Sequence, residues 1–360
     1  MKQLNLFLAS LLFCSLLSSC DETTDNVSVD FSQTDMLSNY ADNLIVPAFE
    51  NYASATTDLK SKVEAFTTNP TEETLLSVQD AAISTYTAWS KVNAYQYGKA
   101  VEVSLLSNTN TFPTKFSSIE DRITSGEFNL DAISSTNVKG LPAVEYLLFN
   151  TNSADLIASF TDEQNRKDYL TQVVDILDNH AQTVLSDWEG GYADTFSVNK
   201  GNDPSSSLSY IVNEYNKAFE RCKNQRVGYA LGKNSLSGVA SPKSVEAYYS
   251  EESLSLLKSN VVSLQEIFNG KDGKGLADYL DAYYQAGSIE EDLAGKINDQ
   301  FDMIESKLED CTDPFSNHIE AQDQVVESLY DEMTKLVVMI KSEMPSALSV
   351  KITYQDSDGD

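Results

Sequence analysis

The stretch that decides the fold class is residues 161–188, TDEQNRKDYLTQVVDILDNHAQTVLSDW. Its apolar residues recur at intervals of three and four, which places them on one stripe of an α-helix. Thr161 and Gln164 have the spacing of a capping box, in which two side chains satisfy the first free N–H groups of a helix. We therefore predict a long amphipathic helix that Thr161 opens and that reaches Trp188. Its predicted buried stripe consists of Leu170, Val173, Val174, Leu177, Ala181, Val184, Leu185 and Trp188.

The same helical period extends over most of the chain on both sides of this stretch. Residues 35–66 carry apolar residues at mostly helical intervals, and Pro47 lies inside them. Because a proline ring removes a backbone donor and clashes with the preceding turn, Pro47 should kink or divide this helix. Near the end of the chain, Val350, Ile352 and Tyr354 alternate with polar residues, a pattern that predicts either one strand or an extended arm.

One interruption of the helical pattern is the best candidate for a domain boundary. Gly190 and Gly191 are followed by a cluster of Asn, Asp and Ser over residues 199–207, and such residues favour turns and loops. The sequence therefore predicts an all-α fold with two tandem helical bundles. The N-terminal helical bundle is expected over residues 34–195 and the C-terminal helical bundle over residues 205–360.

The composition excludes several classes of function. The 360 residues include 25 Lys and Arg against 55 Asp and Glu, a formal net charge of -30. Such a surface repels phosphate backbones and attracts metal cations or basic partner proteins, so we predict no nucleic-acid partner. Only His180 and His318 are present, which excludes any site that needs three imidazoles. The low content of Gly (15) and Pro (8) disfavours an all-β sandwich with its many tight turns.

The first residues predict export and a lipid anchor. Lys2 precedes a short apolar run, so residues 1–19 have the form of a lipoprotein signal peptide. Leu17-Ser18-Ser19-Cys20 resembles a bacterial lipobox, in which the cysteine is acylated and anchors the protein in membrane lipid. The alternative is a simple secretory signal with an incidental Cys20. Residues 20–33 are polar and aperiodic and predict a flexible tether. We expect a lipid-anchored protein of the cell envelope, at the outer membrane and on its periplasmic or surface face.

Two cysteines remain for the folded body after Cys14 leaves with the signal and Cys20 is acylated. An oxidising compartment permits a disulfide between Cys222 and Cys311, and two buried free thiols are the alternative. Neither the Gly-x-Ser-x-Gly nucleophile elbow nor the His-Glu-x-x-His zinc motif occurs in the sequence.

One short segment leads to a family. Residues 140–149, GLPAVEYLLF, resemble the Gly-x-His-x-x-Glu signature of the imelysin family, which precedes a Leu-Leu-aromatic run. The resemblance covers about residues 34–360, and four further features agree with it. These are the first helix at Leu37–Phe49, the pair Trp89 and Gly98, the acid-then-Ser pattern from Glu246 to Leu254, and the ending from Pro345 to Asp360.

The resemblance implies an all-helical, two-bundle envelope protein, often lipid-anchored and linked to iron acquisition. The family has also been classed among candidate metallopeptidases. A His and a Glu three residues apart lie on one helix face and could share a cation. Here Pro142 stands at the His position and offers no side-chain lone pair, so Glu145 would be a single, weak metal ligand. No residue is predicted to be catalytic.

Two interpretations of the motif follow. In the first, its role is structural, because Gly140 permits a close backbone approach, Pro142 suits a first turn, and Glu145 favours the positive end of a helix. In the second, a binding site is retained in a cleft between the bundles, formed by Gly140, Pro142, Glu145, Trp89 and Glu246. The nature of a cofactor is open, with iron or another divalent metal as the candidates.

The sequence therefore favours a binding protein with a degenerate metal motif that acts in iron or haem acquisition. Its expected partners are membrane lipid through Cys20 and iron, haem or an outer-membrane receptor. The alternatives are a metallopeptidase of the imelysin type and a non-catalytic scaffold or interaction lipoprotein.

Overall fold

A computed structural model describes residues 29–233, 235 and 237–354 of the chain. The predicted signal peptide and Cys20 lie outside the described residues, as does most of the predicted tether. Within the described ranges the secondary structure is helical and contains no β-strand, which confirms the all-α fold class. No helix in these ranges is both long enough and apolar enough to cross a membrane.

The first half of the chain forms ten α-helices and one 3-10 helix (Ile133–Val138) among the described residues. The α-helices are α1 (Gln33–Asn39), α2 (Val46–Thr68), α3 (Glu72–Val92), α4 (Lys99–Glu102), α5 (Leu105–Thr109), α6 (Phe116–Ser125), α7 (Leu141–Phe149), α8 (Ser153–Asp162), α9 (Gln164–Asp187) and α10 (Ala193–Val198). The long helices α2, α3 and α9 form the centre of this half, since α2 packs along both α3 and α9.

The second half contains a 3-10 helix (Pro242–Ser244) and seven α-helices within the described ranges. These are α11 (Ser207–Arg221), α12 (Ser253–Asn269), α13 (Leu276–Gln285), α14 (Leu293–Glu309), α15 (Phe315–Glu320), α16 (Gln324–Val338) and α17 (Met344–Ala347). Here α14 packs against α16, and α12 contacts α13 and α14.

The stretch from residue 161 to residue 188 forms the predicted long helix, but it begins differently from the prediction. Helix α9 starts at Gln164, and Glu163 occupies its N-cap position. Thr161 belongs to the end of α8, where its hydroxyl donates a hydrogen bond to the carbonyl oxygen of Ile157 at 2.7 Å. The predicted capping box is therefore wrong, because a preceding helix already uses the threonine side chain.

Wider π-helical turns continue several helices instead of ending them. The π segments are Tyr40–Ile45, Trp188–Tyr192, Cys222–Gly228 and Met339–Glu343. The first of them joins α1 to α2, so the chain stays helical through Pro47, which lacks the N–H that this continuous run would use. The second contains a kink at Gly191 (φ 118°), the position where the sequence predicts a boundary.

The two halves share one continuous hydrophobic core. Helix α3 of the first half packs against α12 of the second. Phe31, near the end of the predicted tether, stacks on Tyr279 with ring centroids 4.4 Å apart. The division into two tandem bundles, with the boundaries given above, stays a prediction.

The C-terminal residues take up the second of the two predicted forms, an extended arm. Asn213 of α11 donates a hydrogen bond to the carbonyl oxygen of Lys351 and accepts one from the N–H of Thr353. One amide side chain thereby fixes the arm against the second half.

Candidate functional site

The start of α7 brings the motif segment against the end of α5. Gly140 precedes α7 with a φ of +82°, a value that favours glycine. A Cβ atom at this position would lie 2.3 Å from the carbonyl oxygen of Thr109. Pro142 is buried in the first turn of α7. Both residues therefore fit the structural interpretation of the motif, since Gly140 permits close backbone contact and Pro142 suits a first turn.

Glu145 lies one turn further along α7 and is only 3% exposed. Its Oε1 accepts a hydrogen bond of 2.6 Å from the backbone N–H of Ser250, which belongs to the second half of the chain. Burial raises the pKa of the Glu145 carboxyl to about 7, although the N–H groups of Ser250 and Tyr249 oppose this change. The nearby charge of Glu246 adds to the increase. Glu145 therefore titrates near neutral pH.

Glu246 lies close by and is balanced by a cation of the protein itself. Its Oε2 forms a buried ion pair with Nη1 of Arg226, and the two side chains are 5% and 8% exposed. Its Oε1 accepts a hydrogen bond of 2.7 Å from Nδ2 of Asn110, which follows α5. The hydroxyl of Tyr86 on α3 donates to Oδ1 of Asn110 at 3.2 Å. Four segments distant in sequence thus form one polar network inside the core.

A small cavity adjoins this network. Trp89, Asn110, Arg226 and Glu246 are among its lining residues, and its volume is about 20 Å³. A single water molecule needs a cavity of about this size. In this conformation the cavity therefore has room for a water molecule and excludes haem or a peptide.

The structure brings three of the five predicted site residues, Glu145, Trp89 and Glu246, to the contact between the two halves. Glu145 contacts the segment that follows Glu246, and Trp89 and Glu246 line the same cavity. Gly140 and Pro142 position α7 and are absent from the lining of that cavity. The assignment of all five as ligand-binding residues stays a prediction.

Sequence reasoning missed Arg226, Asn110 and Tyr86. A carboxylate in the core needs a counter-ion, so the buried Glu246 could have prompted a search for an arginine. No local pattern distinguishes Arg226 from its neighbours in the segment RCKNQR (residues 221–226), because its partner lies 20 residues further along the chain.

The metal that the resemblance implies does not fit these residues. Pro142 supplies no metal ligand. The carboxyl of Glu145 is hydrogen-bonded to the N–H of Ser250, and burial raises its pKa to about 7. The carboxylate of Glu246 is already paired with the guanidinium of Arg226. Within the described ranges no three His, Cys, Asp or Glu side chains are grouped so that they could hold a metal ion. A positive charge already stands beside Glu246, so a second cation would be repelled.

The two histidines lie in other surroundings. His318 interacts with Asp323 through Nδ1 at 2.9 Å, and Nε2 accepts a hydrogen bond from the N–H of Thr312. The pKa of His180 is lowered by burial and then by the charge of Lys139. Nδ1 of His180 is buried without a hydrogen-bond partner among the described residues, and neither imidazole belongs to the network around Glu246.

Both cysteines of the folded body are buried free thiols. Burial raises the pKa of Cys222 to about 12 and that of Cys311 to about 11. Of the two alternatives that the sequence leaves open, the structure contains the unpaired thiols. Because the thiolate is the reactive form, neither residue has the character of a catalytic nucleophile.

Known proteins resemble this chain in sequence and in fold. The family model described as Imelysin matches residues 45–339. A crystal structure from Parabacteroides distasonis, named as a candidate iron-regulated protein A precursor, is 18% identical with a TM-score of 0.73. The match covers 88% of this chain and 95% of that chain. A crystal structure of an Imelysin-like protein from Psychrobacter arcticum is 17% identical with a TM-score of 0.68. This second match covers 91% of this chain and 99% of that chain. Among curated proteins none matches this chain.

Proposed function

The chain belongs to the imelysin family, and from this premise we propose that it is a lipid-anchored binding protein of the cell envelope. Its proposed role is in iron or haem acquisition, without peptide hydrolysis. The observation that carries the proposal is that neither buried carboxylate is free to bind a metal ion, since Glu145 is hydrogen-bonded to Ser250 and Glu246 is paired with Arg226.

Hydrolysis by a metallopeptidase requires a metal-bound water and a general base beside it. The segment that resembles the family motif offers Glu145 alone, and this carboxylate is buried against Ser250. Pro142 replaces the imidazole that the resemblance leads us to expect. A single buried carboxylate of this kind supports a role in holding the two halves together.

Two observations support a connection with iron. The neighbour from Parabacteroides distasonis carries a name that refers to iron regulation. The net charge of -30 gives this chain a long-range attraction for cations and for basic partner surfaces. Both fit a protein that captures or presents an iron-containing ligand.

The lipid anchor is proposed from the sequence of the first twenty residues. The segment Leu17-Ser18-Ser19-Cys20 supplies the acylation signal. Replacing Cys20 with Ala should move the protein from the membrane fraction of the producing bacterium to the soluble fraction. Retention of the Cys20→Ala protein in the membrane fraction would contradict the anchor.

The function is tested by binding and digestion measured on the same preparation. Isothermal titration with ferrous iron, ferric iron and haem should show saturable binding of at least one of them. A fluorogenic peptide mixture should remain intact with and without a chelator. Digestion that a chelator stops would establish the metallopeptidase instead. The absence of both binding and digestion would favour a scaffold or interaction lipoprotein.

A further inference from the structure

The extended arm, residues 350–354, lies along the second half of the chain. Val350 is buried, and Ile352 packs against the hydrophobic core. Because alternate side chains of an extended segment point to the same side, Tyr354 also faces the second half. The alternation of Val350, Ile352 and Tyr354 in the sequence therefore corresponds to the side chains that anchor the arm.

Asn213 of α11 holds the backbone of the arm at its centre. Its Nδ2 donates a hydrogen bond of 3.1 Å to the carbonyl oxygen of Lys351. Its Oδ1 accepts hydrogen bonds from the N–H of Thr353 at 2.8 Å and from the hydroxyl of Thr353 at 3.1 Å. A neighbouring strand would bond an extended segment through a C=O and an N–H in the same way. One buried amide side chain thus takes the place of a strand.

The side chain of Tyr354 makes a second attachment, two turns further along α11. Its hydroxyl donates a hydrogen bond of 3.0 Å to Oε1 of Glu220, and Nζ of Lys341 pairs with the same oxygen at 3.1 Å. Nζ of Lys217 lies 5.2 Å from the centre of the Tyr354 ring, within the range of a cation–π contact. Burial and the charge of Glu220 raise the pKa of Tyr354, so the phenol keeps its proton and remains a donor. Asn213, Lys217 and Glu220 share one face of α11, and the arm runs along that face.

The end of α11 that the arm holds leads directly to the small cavity of the functional site. Glu220 precedes Arg221 and Cys222, which both line this cavity. Nη2 of Arg221 donates a hydrogen bond of 3.1 Å to the carbonyl oxygen of Asn93 in the first half. The last turn of α11 is therefore held on one side by the arm and on the other side by the contact between the two halves.

We propose that the arm is a strap that controls access to this cavity. While the strap is docked, α11 is fixed at Asn213 and Glu220, and the cavity has room for one water molecule. When the strap detaches, Glu220 loses the hydrogen bond from Tyr354, and the end of α11 is free to move. This movement opens the cavity at Arg221 and Cys222 as a local event that leaves the rest of the core folded. The proposal is independent of the role in iron or haem acquisition, because it concerns access to the cavity and not the ligand.

Alkylation of Cys222 by N-ethylmaleimide under native conditions tests the strap. Cys222 is 1% exposed and lines a cavity that is too small for this reagent, so its reaction measures opening of the cavity. Cys311 is a second buried thiol in the same half and is absent from the cavity lining. Its reaction measures a general loosening of the second half. Mass spectrometry of chymotryptic peptides after timed exposure gives the rate at each thiol.

Two variants detach the strap to different degrees. Tyr354→Ala removes the hydrogen bond to Glu220 and should raise the alkylation rate of Cys222 at least threefold, about the factor that one hydrogen bond contributes. A truncation after Val350 also removes the bonds to Asn213 and should raise this rate at least tenfold. In both variants the rate at Cys311 should stay within twofold of the wild type. Tyr284→Ala, which removes an exposed tyrosine of α13, is the matched control and should leave both rates within twofold.

Either of two results would overturn the proposal. The first is a rate at Cys222 that rises less than threefold in Tyr354→Ala, because the strap would then not restrain the end of α11. The second is an increase of the same size at Cys311, which would show that the arm only stabilises the second half as a whole. Circular dichroism establishes that each variant is folded. If the truncated protein does not fold, Tyr354→Ala decides the question alone.

Discussion

Glu145 should make the stability of the protein depend on pH. Its folded pKa is about 7, against an ordinary value of 4.5, so the folded state binds more protons than the unfolded state between these two values. The stability that protonation of Glu145 contributes is full below about pH 4.5, falls as the pH rises and is lost above about pH 7. One pKa unit corresponds to about 1.4 kcal/mol, so the whole effect is about 3 kcal/mol.

The variant Glu145→Gln isolates this effect, because an amide oxygen can still accept the hydrogen bond from Ser250 but does not ionise. Urea unfolding of both proteins between pH 4 and pH 8 should show the wild-type free energy of unfolding falling relative to that of the variant. A difference that stays constant across this range would mean that Glu145 keeps an ordinary pKa. All other titrating groups are common to the two proteins, so their contributions cancel in this difference.

Gly140 is the second residue whose environment allows a quantitative prediction. Gly140→Ala places a Cβ atom against the backbone of Thr109 and forces a side chain into a positive φ. Each effect costs of order 1–3 kcal/mol, so we expect a loss of about 3 kcal/mol in the free energy of unfolding. Gly190→Ala is the matched control, since no atom lies within 4 Å of its added Cβ. It should change stability by less than about 1 kcal/mol. Equal effects of the two substitutions in urea unfolding would contradict this account.

At the scale of residues, the sequence predicts what depends on the local backbone. The conformation of Gly140 and the position of Pro142 in a first turn follow from the rules of helix starts. The hydrogen-bond partners of Glu145 and Glu246 do not follow from any such local rule. Ser250 lies 105 residues from Glu145, and Asn110 lies 136 residues from Glu246. Hydrogen bonds over such separations depend on the packing of whole helices, which a single sequence does not specify.

Among the elements, the π segment Cys222–Gly228 is tied to the loop before α12 by the Arg226–Glu246 pair. Arg226→Met should destabilise the protein by about 3–5 kcal/mol, because it leaves the carboxylate of Glu246 buried without its cation. Lys62→Met, which breaks the exposed pair between Lys62 and Asp58, should cost less than about 1 kcal/mol. Both values can be measured by urea unfolding at one pH.

A double-mutant cycle separates the pair from other effects of Arg226→Met. When Glu246→Gln is added, the cost of the double variant should be smaller than the sum of the two single costs, because no uncompensated charge remains. Additive costs would show that Arg226 stabilises the structure through packing alone.

Apolar periodicity predicts where the helices lie but not how they join. The apolar residues from Leu170 to Val184 recur with the helical period and place α9 correctly. This period arises because one face of the helix is buried. The π segments were not predicted. A single widened turn adds one residue to the spacing of the apolar residues, and this change is too small to recognise in the sequence pattern. Thr161 shows a further limit, since the same residue type suits the end of one helix as well as the start of the next.

Across the whole molecule, the shared core argues for cooperative unfolding. Beyond the packing of α3 on α12, Asn260 of α12 donates a hydrogen bond to the carbonyl oxygen of Ser90 at 2.9 Å. Tyr40 donates to the carbonyl oxygen of Ile267. Because these contacts are buried, separating the halves would expose apolar surface and unpaired polar groups at the same time. The chain should therefore unfold as one unit, even though its sequence predicts two bundles.

The distribution of Trp and Cys makes this prediction measurable without added labels. Trp89 and Trp188 lie in the first half, so tryptophan fluorescence reports on that half, whereas Cys222 and Cys311 are buried in the second. In a protein with Cys14 and Cys20 replaced by Ser, the urea midpoints from fluorescence and from thiol reactivity should coincide. Coincident midpoints are the mark of a two-state transition. Thiols that react at a clearly lower urea concentration than the fluorescence change would show that the second half opens alone, and the continuous core would then not couple the two halves.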